Sequence, residues 1–338
     1  FLVEAFGWRS VFLVAVPLSL LIVPAALWVL RESERGEERE RGFDVPGAAM
    51  LTTGLFGGLL SLSQGRSWGW TDIRTLAGFA VFAVLLSAFV LWERRAERPM
   101  IDLGLFRYRS LVSANIAGFF SSGSMFGTFV MLPFFFQSVL GRSPAETGLR
   151  MAPLALMFLV VAPLGGRLTN RLGARTTPML GLVLAALGYL AVSRMISVDA
   201  GYLELALSLA LAGVGLGLTM APLTTAALHD VPPAWRGVAS SLPQMSRFIG
   251  GSFGMAVVGA LLSWRVTAHL AEAGVTAGGP GGAAGAGGAG AGAISDPALQ
   301  MAFAQSFQDV FLMMVLMVGA ALVAASFVPP LRPGAEEG

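Results

Sequence analysis

The sequence predicts an all-α polytopic membrane protein with nine transmembrane helices. Hydrophobic residues make up 55% of the 338 residues and charged residues only 12%, and the mean hydropathy is +0.72. A soluble domain, by contrast, carries about a quarter charged residues. Nine apolar runs are long enough to cross a hydrocarbon core of about 30 Å, which takes roughly 20 residues. They lie at about 10–30, 45–64, 75–93, 111–137, 149–166, 176–196, 201–225, 237–262 and 306–328.

The composition argues against an enzyme and against a metal or cofactor site. The chain has no cysteine, which excludes disulfides, thiolate metal sites and cysteine nucleophiles. His229 and His269 fall on opposite sides of the membrane, too far apart to share a metal ion. The acids Asp44, Glu146, Asp199, Glu204 and Asp309 all lie near span ends. Every basic residue is arginine, which indicates coding bias, so the pI of 9.6 does not predict nucleic-acid binding.

A short basic turn, Gly165 to Thr177, orients the spans. Arginines recur there every four residues at Arg167, Arg171 and Arg175, and arginine in short loops favours the cytoplasmic side. With this turn inside, 14 arginines lie on the cytoplasmic side and 6 outside. The count predicts an external N-terminus. Ordinary basic loops of this kind are also common in membrane proteins.

The same turn resembles the signature loop of the major facilitator superfamily. The matching residues are Gly166, Leu168, Arg171, Gly173 and Arg175, and Asn170 stands where the family usually has an aspartate; Arg167 belongs to the same loop. A more specific match is Phe6-Gly7-Trp8-Arg9-Ser10-Val11-Phe12, which resembles the start of the sixth helix in 14-helix drug:proton antiporters of that family.

Further motifs extend the resemblance along nearly the whole chain, in the family's order. They are Phe43-Asp44-x-x-Gly47, Pro99-x-x-Asp102-Leu103-x-Leu105-Phe106-Arg107, Leu140-Gly141-x-Ser143-Pro144-x-x-x-Gly148, Gly213-x-Gly215-x-Gly217 with Pro222, and Arg247-x-x-Gly250-Gly251. The resemblance implies that the nine spans are helices six to fourteen. Five N-terminal helices are then expected to lie outside this chain, as its missing partners.

This alignment of spans implies a domain organisation. Residues 1–30 are the last helix of an N-terminal bundle, 31–43 a cytoplasmic connector, 44–93 two inserted linker helices and 94–110 a cytoplasmic loop. Residues 111–328 form a six-helix C-terminal bundle, interrupted by a flexible external Gly/Ala linker at 276–293, and 329–338 are a cytoplasmic tail.

Candidates for a substrate cavity lie on three spans: Asn115, Ser122, Met125 and Phe129 on the fourth, Thr219 and Met220 on the seventh, and Gln244 and Arg247 on the eighth. Asn115, Ser122, Met125 and Phe129 share one face of the fourth span, and a face of this mixture suits a broad pocket for amphipathic molecules. Packing of helix against helix accounts for it equally well. The resemblance favours the cavity, because this span corresponds to a cavity-lining helix. The seventh span also contains three glycines and a proline, Gly213, Gly215, Gly217 and Pro222. These four residues form either a flexible gate or a helix-packing surface.

Arg247 is predicted to be the most functionally sensitive residue. It lies about eleven residues into the eighth span, roughly 16 Å deep. Ser240, Gln244, Arg247 and Gly251 form one polar stripe, and intramembrane charges are functional by default. The alternative is a structural arginine that donates to carbonyls of a neighbouring helix, where Gly250 and Gly251 permit close approach.

The resemblance implies a secondary active exporter of drugs or other amphipathic molecules, driven by proton antiport through alternating access. It needs no cofactor beyond the proton gradient, and its partners are the lipid bilayer, small-molecule substrates and protons. We expect the chain alone to be inactive and the protein to reside in a bacterial-type cytoplasmic membrane. A dedicated exporter of one lipid, siderophore or antibiotic, and a non-transporting scaffold or partner subunit, are the alternatives. Asp309 lies one turn into the last span, where an interfacial acid is favoured over a proton carrier.

Overall fold

All regular structure in the described part of the chain is helical, which confirms the all-α class. The computed structural model describes residues 3, 6–7, 9–29, 44–96, 103–197, 201–232, 235–272 and 297–330. Its long helices are α1 (Arg9–Val29), α2 (Val45–Trp68), α3 (Ile73–Glu93), α4 (Arg109–Phe134), α5 (Pro144–Leu172), α6 (Thr176–Met195), α7 (Tyr202–Leu228), α8 (Ser241–Glu272) and α9 (Pro297–Ser326).

Eight of these helices, α2 to α9, are long and apolar enough to cross a membrane, and α1 carries a shorter apolar stretch, Phe12–Ala25. Three short elements complete the described structure. A 3-10 helix, Leu103–Arg107, precedes α4, a π-helical turn, Phe135–Val139, extends its end, and one helical turn, Arg236–Ala239, leads into α8.

Helices α2 and α3 form a hairpin that is pinned at its open end by Asp44. The Asp44 carboxylate caps α2 by accepting from the Gly47 amide at 3.0 Å, and it also accepts from the Trp92 indole near the end of α3 at 3.1 Å. A Cβ atom on Gly47 would lie 2.2 Å from the carboxylate. The Asp-x-x-Gly spacing is therefore explained locally, because only glycine leaves room for this cap.

Helices α4 to α9 pack into one bundle. Helix α4 contacts α7, α8 and α9, α7 packs between α5 and α6, and α6 also contacts α9. At one end of the bundle six large aromatic side chains are fully buried: Phe135, Phe136, Tyr189, Phe303, Phe307 and Phe311. The α2–α3 hairpin touches this bundle mainly through α8.

The basic turn is shorter than predicted. Helix α5 continues to Leu172, so the segment from Gly165 to Leu172 is helical, and the connection to α6 is only Gly173 to Arg175. Gly173 has a φ of +90° and its amide bonds the Thr169 carbonyl. Gly165 lies at a helix contact, where a Cβ would come within 3.1 Å of the Gly217 carbonyl oxygen of α7. A packing glycine was thus mistaken for a turn glycine.

Helices α8 and α9 also differ from their predicted spans of 237–262 and 306–328. Helix α8 runs ten residues further, and α9 begins nine residues earlier. The helices extend further because their polar side chains pair with one another there. Near the predicted ends, Arg265 and His269 of α8 face Asp309 of α9.

Several predicted segments lie outside the described residues. They are the connector at 31–43, the Gly/Ala linker at 276–293, most of the tail at 329–338, and Trp8, Pro99, Asp102 and Asp199.

We predict that the end of α5 faces the cytoplasm and that the α2–α3 turn faces outward, on the strength of the arginine asymmetry. Asn170 and Thr71 are both exposed, and the chain has no native cysteine. On intact cells, an impermeant thiol reagent should label Thr71→Cys and spare Asn170→Cys until the membrane is permeabilised. The reverse pattern would invert the topology.

Candidate functional site

Arg247 sits at a junction of three helices. It belongs to α8, and its side chain is partly buried. A Cβ placed on Gly118 of α4 would lie 3.8 Å from the Arg247 Cγ, an ordinary van der Waals distance, so the arginine stem passes alongside α4 at this glycine. The guanidinium then reaches α7, where its Nη1 donates to the Thr224 hydroxyl at 3.0 Å.

The second partner comes from the same helix. The Arg247 Nη2 donates to the Gln244 side-chain oxygen at 2.7 Å, a contact that spacing of three residues on a helix permits. The sequence analysis offered backbone carbonyls as the structural alternative for this arginine. In the structure its described acceptors are instead two neutral side chains, which orient the guanidinium without neutralising it.

No carboxylate of the described residues forms an ion pair with Arg247. A guanidinium has five N–H donors, and the two described bonds leave others available. A cation within a membrane span costs at least about 2.5 kcal/mol on insertion scales unless water or a partner is present. The group Arg247, Gln244 and Thr224, which we call the arginine cluster, is therefore suited to binding an acceptor or anionic group.

Arg247 lies about eleven residues beyond Arg236, or roughly 16 Å at 1.5 Å per residue, the depth that the sequence indicates, but it is not at the middle of its helical run. The helical run containing Arg247 extends over Arg236–His269, 34 residues. Its midpoint falls about five residues beyond Arg247, or roughly 8 Å at 1.5 Å per residue. Because the helix extends further on the far side than the sequence indicated, Arg247 lies short of the midpoint, on the side of Arg236.

The other cavity candidates do not join this cluster. Ser122 is fully buried with no hydrogen-bond partner for its hydroxyl, Met125 packs against the core, and Phe129 is 40% exposed. Thr219 is fully buried and donates to the Gly215 carbonyl of its own helix. Met220, on α7, is partly buried. Their shared role as a cavity stays a prediction.

Asn115 occupies a different place from the rest of its predicted face. It lines two cavities beside the α2–α3 hairpin, and neither of these is lined by Ser122, Met125 or Phe129. Its backbone carbonyl accepts from Ser246 of α8 at 2.8 Å, and its own Nδ2 donates to the Leu111 carbonyl.

The glycines of α7 lie at backbone contacts on two sides. A Cβ on Gly213 would come within 2.3 Å of the Leu154 carbonyl of α5, and one on Gly217 within 3.0 Å of the Phe158 carbonyl. A Cβ on Gly215 would lie 2.2 Å from the Ala185 amide of α6. These contacts favour the packing role of the three glycines. Pro222 is buried in the same continuous helix.

Gly250 and Gly251 have the same character in α8. A Cβ on Gly250 would come within 2.1 Å of the Phe119 carbonyl of α4, and one on Gly251 within 2.9 Å of the Phe126 ring. The polar stripe predicted on α8 thus divides: Ser240 and Gln244 are exposed, Arg247 is partly buried, and Gly251 is buried in a helix contact.

The signature loop presents exposed charge. Arg167, Asn170 and Arg171 are exposed along the last turns of α5, while Gly166 and Arg175 are partly buried. Within the residues that the structure describes, none of the three arginines forms an ion pair. Arg171 lies in the last turn, where a cation complements the negative end of the helix dipole.

Asp309 is held by basic neighbours. Its carboxylate accepts from the Arg265 Nε at 2.5 Å and lies 3.3 Å from the His269 Nε2. These three side chains are partly buried in the contact between α8 and α9. Asp309 lies only about 5 Å from the middle of the apolar run Leu299–Ser326, at 1.5 Å per residue. The interfacial interpretation of Asp309 therefore stays a prediction.

Sequence reasoning missed Thr224 and Gly118. Thr224 follows the candidate Met220 by four residues and so lies on the same face of α7, which was a usable signal. Gly118 had no such signal, because its contact with the Arg247 stem joins two helices that are far apart in the sequence.

Comparison with known proteins gives a consistent result. A family model described as Major Facilitator Superfamily matches residues 1–255. The chain is 32% identical over 265 residues to the "Tetracenomycin C resistance and export protein" of Streptomyces glaucescens, covering 78% of this chain and 49% of that protein. It is 34% identical over 271 residues to "Multidrug resistance protein Stp" of Mycobacterium tuberculosis (strain ATCC 25618 / H37Rv), covering 80% and 49%.

A third relative is "Multidrug transporter protein MdtP" of Bacillus subtilis (strain 168), 29% identical over 266 residues, with coverage of 78% and 48%. The chain spans about half the length of these curated relatives. Among solved structures, a bacterial homologue of the human lysosomal transporter Spinster aligns with a TM-score of 0.54 and 20% identity, covering 85% of this chain and 70% of that one. At that identity the likeness concerns the fold.

We predict that Thr224 is energetically coupled to Arg247. Thr224→Val removes the acceptor but keeps the side-chain shape, and should lower the free energy of unfolding by about 1 kcal/mol, since hydrogen bonds to charged groups contribute roughly 1.5–3 kcal/mol when buried and less when partly exposed. The measurement is unfolding of the purified chain in mixed micelles by a denaturing detergent.

Thr225→Val is the matched control. Both hydroxyls donate to the carbonyl four residues earlier, at 3.1 Å for Thr224 and 3.2 Å for Thr225, so loss of that bond is common to both variants. In an Arg247→Ala background the extra cost of Thr224→Val should vanish. An unchanged cost in that background would contradict the coupling.

Proposed function

The chain belongs to the Major Facilitator Superfamily, and on that premise we propose that the protein is a secondary active exporter of amphipathic small molecules. The proposal concerns the whole protein, because the chain spans about half the length of its curated relatives. Support comes from the relatives named for export of tetracenomycin C and for multidrug resistance. The bilayer is proposed to be the cytoplasmic membrane.

The observation that carries the proposal is the arginine cluster. Its guanidinium lies within a membrane span, is oriented by neutral acceptors on two helices, and has no described carboxylate partner. Such a charge is expensive in a purely structural position and useful in a transport pathway. We assign it the role of binding an acceptor or anionic group of the substrate, or of a coupling residue, as the pathway opens.

Packing of the bundle supports an alternating-access mechanism. Helices α5, α6 and α7 meet at backbone contacts through glycine, as do α4 and α8. Contacts of this closeness favour movement of the bundle as a unit, so that rocking against a second bundle would expose the cluster to one side and then the other.

Proton antiport is proposed as the energy source, without a carrier assigned in this chain. Among the described acids, Asp309 is engaged by Arg265 and His269 in the contact between α8 and α9. The group that carries the proton is therefore expected outside this chain.

Dedicated export of a single antibiotic is the second candidate. It is favoured by the relative from Streptomyces glaucescens, whose name specifies one compound. Growth of cells producing the complete protein on a panel of unrelated antibiotics separates the two, because resistance to several chemical classes supports the broad exporter.

We predict that Arg247→Ala abolishes resistance while the protein is still present in the membrane. Arg247→Lys should retain part of it, since an ammonium keeps the charge but cannot span Thr224 and Gln244 with a planar fork. Loss of a charge-assisted bond worth roughly 1.5–3 kcal/mol weakens binding by about 10- to 100-fold.

The measurement is growth on drug beside quantified membrane expression, in the complete protein. Arg194→Ala, an exposed arginine at the end of α6, is the matched control and should grow normally. Full resistance of Arg247→Ala would remove the functional role, and loss of expression in both Arg247 variants would assign the residue to folding.

A further inference from the structure

The α2–α3 hairpin stands slightly away from the bundle and leaves an apolar crevice. This hairpin crevice has a volume of about 490 Å³ and is lined by Leu51, Phe89 and Val90 of the hairpin and by Asn115, Met245 and Ile249 of the bundle, among others. Among the described residues that line it, none is charged. Its size is within the range of natural ligand sites, about 300–1,000 Å³.

Two further cavities continue the crevice around the first turns of α4. One, of about 300 Å³, shares Asn115, Phe119 and Ser246 with the hairpin crevice. The next, of about 510 Å³, shares Val112 and Ile116 with the second and is lined by Arg109. Phe106 lines all three cavities, so it stands as a wedge between two apolar compartments.

The rim of these cavities is basic. Arg94 and Arg95 follow the end of α3, and Arg107 and Arg109 flank the start of α4; all four are exposed. Among the described acids nearby, Asp44 accepts from Gly47 and Trp92, and Glu93 is only 4% exposed. Asp230 is exposed and faces Ser110 in the first turn of α4. The four exposed arginines outnumber this one exposed carboxylate.

The first turn of α4 already faces a carboxylate of the chain. The hydroxyl of Ser110, its second residue, lowers the pKa of Asp230, so a bound anion is expected at Arg109 and not on the helix N-terminus. Arg109 is the first residue of that helix and lines the outermost cavity. A basic side chain beside two apolar compartments, with Phe106 between them, matches the shape and charge of an anionic lipid with two acyl chains.

We propose that this groove binds an anionic phospholipid, with its phosphate at Arg109 and its acyl chains on either side of Phe106. The arginine count places this end of the helices on the cytoplasmic side, and the cytoplasmic leaflet is the one that carries anionic lipid. The site is separate from the arginine cluster, and its occupancy does not depend on transport.

The test is native mass spectrometry of the purified 338-residue chain titrated with phosphatidylglycerol or phosphatidylcholine of identical chains. Phosphatidylglycerol should bind more tightly. Arg109→Gln should reduce that preference about fivefold, the effect of roughly 1 kcal/mol per arginine near a lipid surface. Arg74→Gln, an exposed arginine at the opposite end of α3, should leave it unchanged. Equal binding of both lipids that Arg109→Gln does not alter would overturn the proposal.

A second pair of variants tests the acyl compartment. Val90→Trp fills the hairpin crevice and should weaken both lipids alike, whereas Val84→Trp, at a position 65% exposed on the same helix, should not. Because a tryptophan can disturb folding, Val90→Cys in this cysteine-free chain gives an independent measurement. Phosphatidylglycerol should slow its reaction with a membrane-soluble maleimide and leave Val84→Cys unaffected. Equal rates at the two positions would place the lipid elsewhere. None of these measurements requires export, so their failure would not bear on the transport proposal.

Discussion

Close approach of helix backbones through small residues is the constraint on which this bundle depends. In a bilayer the lipid tails are as apolar as the side chains, so helices associate through van der Waals contact rather than by leaving water. Gly213, Gly215 and Gly217 bring α7 against α5 and α6, and Gly250 brings α8 against α4. A methyl group at most of these positions would collide with a neighbouring main chain and would push the helices apart.

The arginine cluster is a consequence of those contacts. Because α4 and α8 touch at Gly250, the stem of Arg247 can lie over Gly118 and its guanidinium can reach Thr224 on α7. Neutral acceptors then hold a cation whose charge stays uncompensated within the described structure. The same packing therefore fixes an oriented charge at the junction of α4, α7 and α8.

The α2–α3 hairpin follows a different principle. Its two helices are tied together by Asp44, Gly47 and Trp92, but they touch the bundle over a narrow contact with α8. A hairpin that is self-contained in this way leaves space beside α4 for a lipid. The basic residues of the following loop then lie at the mouth of that space, so one short region supplies both apolar compartments and charge.

The sequence alone determined the fold class, most of the membrane spans and the family of this protein. Hydropathy set the all-helical membrane class and most of the spans, because each helix must carry its own run of apolar residues to be stable in lipid. Motifs such as Asp44-x-x-Gly47 and Arg247-x-x-Gly250-Gly251 indicated the family. The role of the glycines was decided only by the tertiary structure. A glycine in a turn and a glycine in a helix contact look the same in the sequence, and Gly165 lies in a contact with α7. The tertiary structure also decided that Asn115 borders the hairpin while Ser122 is buried, and that Thr224 and Gly118 surround Arg247. Periodicity places residues on a face of one helix, but the neighbour of that face is set by packing among helices far apart in the chain.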